Sequence, residues 1–191
     1  MLSEKIKENT KINHQSLEKK LVTRMRSIQN ETDYAKFLGI FYSYFGGLEL
    51  TINKHLNLSH LPDYGRRRKT STLEDDLNIL GLQLPTLASE SALPEIENHY
   101  QALGALYVIE GSTLGGEFIG KILRRQMNLT GSFGMSFFDG YGDQTASMWQ
   151  VFQEFLDLPV YLQKHEMITQ SANQTFIGFE RWFNNLNEVT D

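Results

Sequence analysis

Cysteine is absent from this 191-residue chain, which excludes a disulfide framework, a thiolate-held metal and a catalytic thiol. Any metal is left to nitrogen and oxygen ligands. Proline occurs only at Pro62, Pro85, Pro94 and Pro159, so little interrupts helix formation in the intervals between them. Long apolar runs are missing too: nothing reaches the ~18 residues that a membrane span requires, and the start MLSEKIKENTKINH has no unbroken apolar stretch of the kind a secretory signal needs. The expectation is a soluble cytoplasmic protein. Nor is there an excess of positive charge. The 18 basic and 23 acidic side chains give a net charge of -5, which argues against a general nucleic-acid binder. Residues 1–100 carry 13 basic and 13 acidic groups and residues 101–191 carry 5 and 10, so the net negative charge belongs to the second half.

What is present is enough to fold. Hydrophobic residues at 40% and aromatics at 12% exclude disorder from low hydrophobicity, and at roughly 150 residues per domain the chain reads as one domain over 1–191. Apolar positions recur with a period of 3.6. From about Ser3 to Ile28, Lys7, Lys11, His14, Leu17, Leu21 and Met25 share a helical face that turns from polar to apolar at His14. A helix from about Asp33 to Leu56 carries Phe37, Leu38, Phe41, Phe45, Leu48 and Ile52 inward. Residues 57–70, with Pro62, Gly65 and the run Arg66 to Lys69, read as a connection. Ser71 with Glu74 forms a capping-box pattern for a short helix ending near Gly81. A long pattern from Pro94 to about Met127, interrupted by glycine, precedes a glycine-rich flexible loop over 128–143. Helices over about 144–158 and 160–187 follow. The sum is an all-α, single-domain multi-helix bundle.

Two features ask for a chemical explanation. Gly104, Gly111, Gly115, Gly116 and Gly120 crowd a helical pattern in which each costs about 1 kcal/mol relative to alanine. Either other elements pack closely there, or the chain loops, or a flat ligand lies against naked backbone at Gly111 and Gly115, one turn apart. The second is a histidine. His55, His60 and His99 sit in loops or near helix ends, and His165 reads as a hydrogen-bonded core residue. His14 has Lys11 and Lys7 one and two turns before it and Glu18 one turn after. Glu18 is placed to fix one ring nitrogen while the other serves as a ligand, and the lysines to meet carboxylates of that ligand; a solvated i,i+4 pair is the alternative.

LGALYVIEGSTLGGEFIGKIL (103–123) resembles the distal helix of the haem oxygenases, in particular the bacterial branch associated with bacteriophytochromes. TKINHQSLE (10–18) resembles their proximal-histidine helix, and FFDGYGDQTASMW (137–149) is similar to the segment entering their next helix. The resemblance spans nearly the whole chain and implies the haem oxygenase-like fold. It makes haem both substrate and cofactor, oxidised by O2 with electrons from an external reductase or ferredoxin to biliverdin, ferrous iron and CO. It makes His14 the axial ligand of haem iron, Glu18 its partner, and Lys7 and Lys11 the propionate partners. Gly111, Ser112 and Gly115 become the catalytic distal stretch, and Phe176 and Phe183 the apolar wall.

A neutral histidine promotes O–O cleavage less than a thiolate would, and small residues around the site leave proton delivery to ordered water. Ser112 stands where many relatives have aspartate, Glu117 where they often have glutamine, and Gln150 near a basic propionate partner. The run Arg66 to Lys69 reads as a solvated charge patch, with docking of an acidic ferredoxin as its functional alternative. A rival function is a non-catalytic haem-binding or photoreceptor-associated signalling protein on the same fold. A diiron oxidase is disfavoured by the lack of any Glu-x-x-His.

Overall fold

The computed structural model describes residues 1–57, 59, 61–128 and 133–188, with side chains to 185. His60 and the part of the glycine-rich segment at 129–132 therefore lie outside the described residues. Among the described residues seven α-helices carry the fold: α1 (Leu2–Arg26), α2 (Glu31–His55), α3 (Ser71–Ile79), α4 (His99–Met127), α5 (Ser136–Asp139), α6 (Thr145–Leu156) and α7 (His165–Glu188). No strand occurs among the described residues, in agreement with the all-α expectation. No described helix is long and apolar enough to cross a membrane.

Local chemistry sets the helix ends. Asn30 accepts from the Asp33 N–H to start α2, and Asn98 accepts from the Tyr100 and Gln101 N–H groups to start α4. These are the orphan donors that an N-cap exists to satisfy. The capping box expected at Ser71 is not formed. Thr70 takes the N-cap position of α3 with no side-chain cap bond, because its N–H and hydroxyl both donate to Glu49. The long helix begins at His99 rather than near Pro94, and it runs unbroken through all five glycines. His165 opens α7 half-buried with Nδ1 on the Leu162 carbonyl, 2.9 Å, so it is a helix-start residue and not a core histidine.

The aromatic core lies between α2, α5 and α7, where Phe37, Phe41, Phe45, Phe137, Phe138 and Phe179 meet in stacked, tilted and edge-to-face contacts. This overturns the flexible-loop reading of 128–143 for its described part. Met135, Phe137 and Phe138 are buried, and the turn they form plugs the bundle.

The helices are arranged around α7, which packs along α1, α2 and α4. Helix α6 also touches both α1 and α4, whereas α1 and α4 have little contact with each other. They meet at their C-terminal ends, where the Gln126 side chain donates to the Met25 and Ile28 carbonyls. At the other end of α1, the Ser3 N–H and hydroxyl donate to Asp157, just past α6, at 2.8 and 2.7 Å. Two long helices are thus joined at one end and held apart elsewhere.

Asp76 of α3 latches the plug. Fully buried, it accepts from the Ser136 and Phe137 N–H groups at 3.0 and 2.8 Å. Burial lifts its carboxyl above the usual carboxylate range against the pull of those bonds. Asp76→Ala orphans both donors and is expected to lower stability by about 1–3 kcal/mol per N–H left unpaired, read as a lower denaturation midpoint with unchanged helix content.

Candidate functional site

The buried stripe of α1 is Leu2, Ile6, Thr10, Leu17 and Met25. That leaves the neighbouring stripe of Lys7, Lys11, His14 and Glu18 exposed. His14 is 57% exposed, with Nδ1 3.9 Å from Glu18 Oε2. This is ion-pair range but beyond a hydrogen bond, so the carboxylate stands on the Nδ1 side without clamping it. The ring packs edge-on against Phe176 of α7, centroids 5.5 Å apart, and Nε2 has no protein partner among the described residues. Lys7 and Lys11 form no ion pair among the described residues.

Phe183 is placed differently from Phe176. It lies two turns further along α7, edge-to-face with Phe37, and lines a groove with Lys19, Lys20, Thr23 and Arg24. Phe176 is therefore the ring brought beside the imidazole, and Phe183 lies about 10 Å further along the axis.

The five glycines of α4 divide by what an added Cβ would meet. At Gly104 it would strike the Ile168 carbonyl and Ser171 of α7, and at Gly116 the Phe138 carbonyl, 2.8 Å away. Gly120 is crowded by Arg124 and Phe138. These three let neighbouring elements approach, as the packing alternative supposed. At Gly111 the Cβ would meet only the Trp149 ring of α6, at 3.5 Å, and at Gly115 nothing within 4 Å. Beside them on the same face, Leu114 and Phe118 are 45% and 60% exposed. Residues 111, 114, 115 and 118 thus share one bare or apolar stripe, half-covered by Trp149 at Gly111 and exposed at Leu114, Gly115 and Phe118 among the described residues.

Each of the two surfaces lies the same number of residues from the junction along its own helix. His14 lies eleven residues before Met25 and Gly115 eleven before Gln126, the pair that joins the helices. Both are about 16 Å from the junction at 1.5 Å per residue. An imidazole with a free nitrogen and a stretch of glycine backbone thus lie equally far from the junction along two helices that otherwise touch little. Such a site suits a flat apolar ligand that carries a metal.

Behind the strip lies a polar cluster that the sequence reading missed. The run Arg66 to Lys69 was expected to be solvated, but Arg67 and Arg68 are buried. Arg67 pairs with Glu110 at 2.7 Å and Asp63 at 2.6 Å. Burial opposes its charge, yet the two carboxylates hold its pKa above the ordinary value. Tyr141, kept protonated by burial and by Glu110, donates to that carboxylate at 2.9 Å and accepts from the Arg68 N–H. Arg68 reaches Ser112 at 2.6 Å. The two central cations of the run thus face inward, and only Arg66 is left exposed. Glu110 beside Gly111, an acid in an otherwise apolar helical stretch, was the available signal. Elsewhere, Glu117 is exposed and paired with Lys121, and the exposed Gln150 amide donates to Glu154. Among the described residues, no group of three or more His, Asp or Glu gathers as a metal site.

A family model described as "Heme oxygenase" matches residues 1–185. The chain belongs to the haem oxygenase family. A relative named heme oxygenase from Xanthomonas campestris pv. campestris is 30% identical over 125 residues, which is 65% of this chain and 72% of that protein. The fold agrees with the NO- and CO-bound heme oxygenase of Neisseria meningitidis, with a TM-score of 0.83, 21% identity, and 97% of this chain and 92% of that one covered. It also agrees with the heme oxygenase of Leptospira interrogans, with a TM-score of 0.75, 21% identity and coverage of 96% and 98%. A third agreement is with a cyanobacterial heme oxygenase from Synechocystis in complex with heme, with a TM-score of 0.71, 22% identity and coverage of 99% and 95%.

The division of the α4 glycines in this haem oxygenase is testable without ligand. Gly116→Ala is expected to destabilise the apo-protein by about 1–3 kcal/mol through overpacking against α5. Gly115→Ala, in open space, should leave thermal stability unchanged or raise it by up to about 1 kcal/mol. Parallel thermal melts of the two variants check both.

Proposed function

We propose that this haem oxygenase-family chain binds haem edge-in between His14 of α1 and the Gly111–Gly115 stretch of α4, and cleaves it oxidatively to biliverdin, ferrous iron and CO. The observation that supports this reading is an imidazole nitrogen without a protein partner on α1 together with glycine backbone open at Gly115 on α4, on two helices joined at their C-terminal ends and otherwise in little contact. The residues fit the group. An N-donor without thiolate suits haem iron, and the exposed Leu114 and Phe118 flank an open surface that a porphyrin face would cover. Bound haem supplies both the iron that activates O2 and the macrocycle that is oxidised.

The chain's own atoms do the rest. His14 binds through Nε2, since Glu18 stands on the Nδ1 side and favours the tautomer with its proton there. The Phe176 edge holds the ring upright on α7. Lys7 and Lys11 lie on the His14 stripe with their ammonium groups free for the two propionates. On the opposite side, Gly111 and Gly115 let backbone approach the macrocycle more closely than any side chain would permit. Haem held there would have backbone and not a side chain beside it at Gly115. Ser112, whose hydroxyl donates to the Ile109 carbonyl at 2.6 Å, keeps a lone pair to anchor ordered water, which delivers the proton. Electrons come from an external ferredoxin or reductase. A bacteriophytochrome is the fitting consumer of the bilin product.

Haemin titrated into the purified protein is expected to give a six-coordinate, histidine-ligated Soret band. In His14→Ala that band is lost while the melting temperature barely moves, because the exposed Glu18 pair it removes is worth only about 0–1 kcal/mol. Reductant under air should convert the Soret band into biliverdin absorption. Haem that binds yet stays intact under those conditions supports the non-catalytic reading, and the absence of any Soret shift discards both.

A further inference from the structure

The buried half of the 66–69 run contains a cation that the mechanism above leaves unused. Arg68 is 7% exposed, and no carboxylate lies within ion-pair distance of it among the described residues, because Glu110 and Asp63 are held by Arg67. Burial pulls its pKa down to about 10, with Glu110 working the other way. A buried guanidinium without a directly paired anion is strongly unfavourable unless its donors are satisfied. Its donors go to two segments. Nη1 donates to the Phe137 carbonyl at 3.0 Å, and Nη2 to the Ile109 carbonyl at 2.9 Å and to Ser112 Oγ at 2.6 Å. The guanidinium also sits on the Phe137 ring, with Cζ 3.9 Å from its centroid.

These acceptors frame Gly111. The Ile109 carbonyl lies two residues before it and receives the Ser112 hydroxyl as well, while Ser112 follows it directly. With its O–H given to Ile109 and one lone pair to Arg68, Ser112 has a single acceptor site left. Phe137 belongs to the plug against which Gly116 packs. One cation therefore ties the start of the bare strip to the element behind it, and does so in a low-dielectric interior where its charge is little screened.

We propose that Arg68 is a positioning residue of the haem site. Through Ser112 and the Ile109 carbonyl it holds the Gly111 backbone in place and sets a positive field behind the face on which a diatomic ligand would sit. This rests on the haem reading above. The role goes beyond packing because it places a charge, and not only volume, at the strip.

The test uses Arg68→Met, Arg68→Lys, Ser112→Ala and the Arg68→Met/Ser112→Ala double variant, each loaded with haemin. The infrared C–O stretch of the reduced CO complex is recorded beside biliverdin formation. A positive field lowers that stretch by favouring electron donation from iron to CO. Arg68→Met is expected to raise it, to bind haemin as the wild type does, and to form biliverdin about 10-fold to 100-fold more slowly. Arg68→Lys, which keeps the charge, should return the stretch toward the wild-type value. Ser112→Ala should move it in the same direction as Arg68→Met but less far, and the double variant no further than Arg68→Met, since the two act as a unit. A wild-type stretch in haemin-loaded Arg68→Met overturns the proposal, as does a shift in Arg68→Lys as large as in Arg68→Met. Should Arg68→Met fail to fold, Arg68→Gln, which keeps a donor without the charge, takes its place, an unshifted stretch overturning the proposal and a raised one supporting it. Failure of the wild type to bind haemin would instead sink the haem reading itself.

Discussion

Helix α4 has to be approached by other backbone on several sides, and the rest of the molecule is arranged around that requirement. The α7 backbone comes in at Gly104 and the plug at Gly116 and Gly120. Each close approach needs a residue with no Cβ, and each glycine weakens the helix by about 1 kcal/mol. The helix persists because its two ends are capped by Asn98 and Asn128 and because its flanks are buried against α2, α5, α6 and α7. Tertiary packing overrides local propensity here. The face at Gly115 is then left open by the same helix that is closed elsewhere.

The buried polar cluster is the other half of that arrangement. Arg67 ties the 63–68 connection to Glu110 on α4, and Tyr141 ties the entry to α6 to the same carboxylate. A paired buried charge gives little net stability, but losing one partner strands the other. The cluster therefore makes the position of α4 relative to the connection all-or-none. The segment that looks most like a surface loop in composition is the one that fixes the functional helix.

Much of this was legible in the order of residues. Helical periodicity located the five long helices to within a few residues at most ends, and the spacing of Lys7, Lys11, His14 and Glu18 marked a face that the fold leaves in solvent. The failures have one cause: local pattern carries no information about burial by distant segments. Four consecutive cations read as solvated because charged residues mostly are. The carboxylates of Asp63 and Glu110, the latter 43 residues from Arg67, make the interior tolerable for Arg67, and the Phe137 and Ile109 carbonyls do so for Arg68. The glycine-rich segment reads as flexible by composition, yet Phe137 and Phe138 within it find the aromatic rings of α2. The equal appearance of five glycines hides two different jobs, because sequence spacing does not say which side of a helix another backbone occupies.

The split along α4 also explains why the open strip is compatible with a stable fold. Glycines that serve packing are repaid by contacts within the chain, so their benefit is present in the absence of any ligand. Gly115 gains no such contact, and Leu114 and Phe118 beside it stay exposed to water. Their cost is offset only when something apolar covers them, which couples folding stability to ligand concentration as RT ln(1 + [L]/Kd). An exposed apolar stripe at 25 cal/mol per Å² is a modest penalty, small beside the aromatic core under α2 and α7. The chain thus places its unfavourable surface where a flat ligand would remove it, and keeps the interactions that hold α1 and α4 apart independent of that ligand.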